Sequence, residues 1–96
     1  MIDYKYEATT AIEILKPAFP DYPEALVKSG KSGSISLQVN IGVDGHVTSA
    51  GITDTQFPEM NAATIAAAKD WIFKPVIRNG QPAGVVIKLT FQYSIQ

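Results

Sequence analysis

The sequence predicts a small α+β domain. Its expected core is a three-stranded antiparallel or mixed sheet with two helices packed on one face, and the N-terminal segment is able to add an extra strand. Three observations carry this. Residues 34–42 and 84–95 alternate apolar and polar side chains, the pattern of strands with one buried face. Asp44-Gly45 follows the first of these stretches, and that dipeptide is a hairpin turn signal. Between them, residues 61–75 are alanine-rich and stop at Pro75, which cannot donate a helical hydrogen bond and pushes Lys74 out of helical geometry.

Residues 1–19 read as an N-terminal arm and 20–96 as the domain proper. In the arm Ile2, Tyr4 and Tyr6 alternate with Asp3, Lys5 and Glu7, which predicts an extended segment. Ile12, Ile14 and Leu15 are apolar, but Pro17 and Pro20 forbid a long helix. Asp21-Tyr22-Pro23-Glu24 has the form of a helix start, with Asp21 as cap and Pro23 in the first turn. That helix spans 23–29, and Gly30 supplies its C-terminal cap.

In the first strand Ile35, Leu37, Val39 and Ile41 share one face. The second strand runs over 46–53. Val47 is out of parity with Ala50 and Ile52, so a bulge is expected near Thr48 or Ser49. The second helix spans 60–73, with Met60, Thr64, Ala67 or Ala68, and Trp71 at helical spacing on its inner side. It places Trp71 and Phe73 in its last turn. Asn79-Gly80 marks another tight turn, and in the third strand Val85, Ile87, Leu89, Phe91 and Tyr93 form the buried set. The third strand follows a helical crossover and so runs parallel to the second. The first strand then takes the centre and the third an edge.

Composition narrows the function classes. Ninety-six residues with 46% apolar content form one globular core. A net charge of −1, with no basic face, lacks the footprint of a nucleic-acid binder. The absence of cysteine removes disulfides, thiolate zinc sites and thiol redox chemistry. No apolar run approaches the ~18 residues of a membrane-spanning helix. His46 is the single histidine and follows a turn. There is no G-x-S-x-G elbow, P-loop or dinucleotide fingerprint. Asp21, Asp44, Asp54, Glu59 and Asp70 each read as caps, turn residues or solvated helix positions. A non-enzymatic domain without cofactor or metal is therefore expected.

Taken in order, the motifs resemble the C-terminal domain of the TonB family of energy transducers. Tyr22-Pro23 precedes the short helix, and Gly30 and Gly33 follow it three residues apart. The alternating strand enters Asp44-Gly45-His46-Val47, and the alanine-rich helix ends in Trp71-Ile72-Phe73-Lys74-Pro75. Gly80-Gln81-Pro82 then leads to the last alternating strand. The likeness covers residues 20–95. It departs from the family pattern at Leu26, where alanine is usual, and at Phe19-Pro20-Asp21, where some members carry glutamine in a Q-P-x-Y-P string.

The resemblance implies a periplasmic domain of an inner-membrane-anchored protein, joined to a motor complex through parts upstream of this segment. It implies capture of an extended TonB-box peptide from an outer-membrane receptor. An open strand edge can do this physically, because an incoming strand completes its ladder. The expected capture site is the main chain of Val86, Ile87, Lys88, Leu89, Thr90, Phe91 and Gln92. The same edge could be closed by the arm or pair with a second copy as a homodimer. The other reading is an envelope-spanning interaction module, TolA-like, that serves a different partner.

Overall fold

The computed structural model describes residues 2–94. Its elements are β1 (Ile2–Glu7), β2 (Ile14–Lys16), α1 (Glu24–Lys28), β3 (Gly33–Ile41), β4 (Val47–Thr55), a 3-10 turn at Pro58–Met60, α2 (Asn61–Lys69), β5 (Ile72–Phe73), β6 (Val76–Arg78), β7 (Gln81–Ala83) and β8 (Val85–Tyr93). The two alternating stretches become β3 and β8, which pair antiparallel from Gly33↔Tyr93 to Ile41↔Val85. Their inward residues Ile35, Leu37, Val39, Ile87, Leu89 and Phe91 are all buried. Burial of each such side chain is worth about 1.5–3 kcal/mol, so this face dominates the stability.

The sheet has four strands rather than three, in the order β1-β8-β3-β4. β3 sits inside it as expected, and β4 and β8 run the same way because each is antiparallel to β3. The correction concerns β8, which is not an edge. The arm folds back as β1 and pairs antiparallel with it, from Ile2↔Tyr93 to Glu7↔Lys88. Six residues of alternating sequence thereby satisfy backbone groups that an open edge would leave to water.

The bulge expected in β4 occurs at Thr48, where pairing skips from Asn40↔Ser49 to Ile41↔Val47. A second one lies at Thr53, between Ser36↔Asp54 and Leu37↔Ile52.

Met60, Thr64, Ala67, Ala68 and Trp71 are buried, as their spacing predicts. The helix itself ends at Lys69, four residues before the expected Phe73. Tertiary hydrogen bonds decide this. The Phe73 amide donates to the Gly45 carbonyl and the Lys74 amide to the Glu13 carbonyl, both at 2.9 Å. Ile72-Phe73 is drawn out as a strand against β2. α1 is similarly shorter than expected. Pro23 occupies its N-cap position and no side chain caps it, so Asp21 does not play the predicted role. Gly30 closes α1 with φ +77°, and Asn79-Gly80 turns the β6–β7 hairpin with both φ values positive.

Buried polar groups are paired. Ser36 and Thr90 hydroxyls meet at 2.9 Å on the face opposite the core. Thr64 Oγ1 donates to the Met60 carbonyl at 2.6 Å, so its single proton is committed and the Tyr93 hydroxyl donates to Thr64. Burial raises the Tyr93 phenol above its usual value of 10.0, opposed by the Thr64 hydrogen bond. A raised folded-state value means that ionisation is resisted by the fold. Its contribution is complete below pH 10.0 and is lost as pH rises beyond it. Urea unfolding followed between pH 8 and 11 is expected to show a decline at the alkaline end that Tyr93→Phe abolishes; an identical decline in both proteins would refute this assignment.

Candidate functional site

The alternation Ile2-Asp3-Tyr4-Lys5-Tyr6-Glu7 gives β1 two unlike faces. Tyr4 lies on the core side, where its ring meets Trp71 edge-on at 5.0 Å and Phe19 at 5.9 Å between centroids. Ile2 packs against the core on the same side. Asp3 and Lys5 face the other way and line a shallow cleft with Thr90 and Gln92. Five of the six residues of β1 are exposed. Among the described residues, no side-chain hydrogen bond or ion pair holds β1 to the domain. It is attached by its backbone ladder and by few apolar contacts.

The next part of the chain is fixed differently. β2 pairs with β5, and the Lys74 amide reaches the Glu13 carbonyl. Beyond β2, the Trp71 indole N–H donates to the Ala18 carbonyl at 2.7 Å. Phe19 packs its ring on Trp71 at 5.9 Å and on Phe91 at 6.1 Å. Trp71, 1% exposed, is therefore the post to which Ala18 and Phe19 are tied, while residues 13–16 are held by β5 and Lys74. The link between the tied part and β1 is residues 8–13, pinned at Thr10 by a 2.9 Å hydrogen bond from Arg78.

The expected capture strand divides into two parts along its outer side. Lys88, Leu89, Thr90, Phe91 and Gln92 are covered by β1. Val86 and Ile87 lie beyond the end of β1, and among the described residues no strand faces them on that side. Ile87, Leu89, Thr90 and Phe91 have buried side chains, whereas Val86 is 56% exposed. Next to Val85 and Val86 the departing chain leaves a cleft of about 220 Å³, also lined by Ala8, Thr10, Ile12 and Arg78. The vacant part of the ladder thus opens onto this cleft.

The remaining motif residues are structural. Tyr22 packs edge-on against Phe57 and Tyr93, beside Pro23 at the start of α1. Gly45 has φ +86°, and a Cβ there would meet the Phe73 carbonyl oxygen at 2.0 Å. Gly33 begins β3 against Gln56, and Pro75 lies beside Gly45. Asp44 Oδ1 accepts the His46 amide at 3.1 Å, the main reason its carboxyl is held below the ordinary range. His46 is solvent-exposed and forms a loose pair with Asp44 at 3.4 Å. That pair caps a turn. Sequence reasoning found the alternation of residues 2–6 and raised closure of the last strand's edge by the arm without fixing it, and it missed the roles of Tyr4 and Phe19. Alternation alone does not say which strand a segment will pair with.

Comparison with known proteins bears on this geometry. The family pattern of the Gram-negative bacterial TonB protein C-terminal domain matches residues 18–95. The match therefore begins after β1 and β2. Protein TonB of Xanthomonas campestris pv. campestris, in strains B100 and ATCC 33913, is 26% identical over 77 residues, which is 79% of this chain. The chain spans only 34% of those relatives' length. The solution NMR structure of the Pseudomonas aeruginosa TonB CTD superposes with a TM-score of 0.72, covering 88% of this chain and 87% of that one at 21% identity. That likeness speaks for the fold.

Proposed function

This chain belongs to the family of Gram-negative TonB C-terminal domains, and from that premise we propose that it is the periplasmic, partner-binding end of a TonB-like energy transducer. It would be held to the inner membrane and its motor complex by other parts of the parent protein. On this reading it captures an extended TonB-box segment of an outer-membrane receptor by β-strand addition to the outer ladder of β8, through the main chain of Val86–Gln92. The observation that carries the reading is β1 itself. A short, largely exposed strand already lies on that ladder in register, so this margin of the sheet accepts an added strand.

Energetics favour a reversible contact. Each ladder hydrogen bond is worth about 1 kcal/mol net, while association costs at least ~4 kcal/mol. Ordering the guest offsets its ladder bonds, so the surplus comes from burying its inward side chains and stays modest, suited to a link that must engage, bear load and release. Titrating a synthetic TonB-box peptide into the 15N-labelled chain is expected to move the amide signals of Val86–Gln92 before those of β3 or β4. Saturating peptide without a response there would sink the proposal and leave an envelope-spanning module, TolA-like, that serves another partner.

A further inference from the structure

Resting on that reading of β8, we infer that Ile2–Glu7 is a built-in competitor for the guest strand, and that a guest enters at Val86–Ile87 and peels β1 away from its Glu7 end. Four observations support this. The arm occupies the ladder from Lys88 to Tyr93 and stops short of Val86 and Ile87. Of the two, Val86 turns its backbone groups outward while Ile87 spends its own on β3, so Val86 is the vacant toehold, beside the open cleft at Val85. β1 is held by backbone bonds worth about 1 kcal/mol each, which ordering costs of about 1–2 kcal/mol per residue largely offset. The following segment is tied to the domain through β2–β5 pairing and the indole of Trp71, so a displaced β1 stays nearby at millimolar effective concentration. The competitor lies outside the family match, which begins at residue 18.

The arm also describes the guest it excludes. A replacement must be extended and alternate with period two. Its inward residues, one of them aromatic, would fill the place of Tyr4 against Trp71, and its outward residues would be polar, facing Thr90 and Gln92 as Asp3 and Lys5 do. A guest with charges on both faces would have to bury one against Trp71 and would fail to displace the arm.

If β1 is in place 90–99% of the time, guest affinity is lowered about 10- to 100-fold. Two experiments on the full chain test this. Amide hydrogen exchange without any guest should show the β8 amides that donate to β1 exchanging at least about tenfold faster than those that donate to β3, and Tyr4→Ala should widen the gap. Equal protection of both sets would overturn the competitor whatever the peptide does. The second uses Asp3→Cys with Gln92→Cys, a facing pair in a chain that has no other cysteine. Oxidation locks β1 in place. Binding of the synthetic TonB-box peptide should fall at least tenfold when the variant is oxidised and recover on reduction. Equal binding in both states, with signals moving on β4 or on the outer side of β1, would overturn the inference while leaving strand addition intact. Binding in neither state, with fast exchange on β8, would reject the receptor reading and keep the removable arm.

Discussion

Trp71→Ala will lower the thermal midpoint of this domain by about 20 °C or more. The indole is 1% exposed. It is in ring contact with Tyr4 at 5.0 Å, Phe19 at 5.9 Å, Phe91 at 5.9 Å and Phe73 at 6.1 Å. Truncating a buried aromatic side chain to alanine costs about 3–5 kcal/mol, and the Ala18 carbonyl loses a hydrogen bond worth about 1 kcal/mol more. A chain of this length has only about 5–14 kcal/mol in total, and each kcal/mol moves the midpoint by about 4–8 °C in a domain this small. The loss is large because one side chain joins three parts: the end of α2, the sheet through Phe91, and the tied arm through Ala18. Circular-dichroism melts check this directly. A fall below about 5 °C would mean that the ring is not the keystone described here. Trp71→Phe should lose less, since most of the cavity is refilled, but should still free the arm at Ala18.

Gly45→Ala is expected to cost about 3–6 kcal/mol, while Gly51→Ala stays within about 0.5 kcal/mol. At Gly45 the positive φ alone is worth roughly 1–2 kcal/mol against an L side chain. The added methyl would also occupy the position of the Phe73 carbonyl, 2.0 Å away. β5 must then move outward, which breaks the Phe73–Gly45 hydrogen bond and the His46↔Ile72 bridge. Displacing packed groups in this way costs about 1–3 kcal/mol, and the lost bond about 1 kcal/mol. A Cβ at Gly51 meets nothing within 4 Å, so that variant serves as the control. Matched urea midpoints for the two variants would disprove the close approach at Gly45.

The inner parts of the fold were legible because their signals are local. Period-two burial in β3 and β8, helical spacing from Met60 to Trp71, and the turns at Asp44-Gly45 and Asn79-Gly80 all depend on neighbours a few residues away. What stayed hidden depends on distant partners. The end of α2 is set by carbonyls at Gly45 and Glu13, and nothing in Asp70-Trp71-Ile72 itself breaks a helix. Asp21 had the chemistry of a cap, yet the turn at Pro23 left it unused. The bulge at Thr48 showed as a change of parity between Val47 and Ala50. The one at Thr53 sits among polar residues, where parity leaves no trace. The site suffered most, because Ile2 pairs with Tyr93 across nearly the whole chain. Alternation predicted that residues 2–6 are extended, and only the folded chain shows that they lie on β8.

The two bulges in β4 carry a consequence for self-association. Each extra residue bends and twists that border, and Asp54 adds a charge, so the far side of the sheet is a poor template for another backbone. The opposite border, at β8 and β1, is regular. Growth is therefore one-sided: two copies that met there would consume both regular borders and leave only bulged ones facing outward. Were copies to meet through that border, the expected product is a closed pair rather than a fibre, and a sedimentation series over concentration would check it.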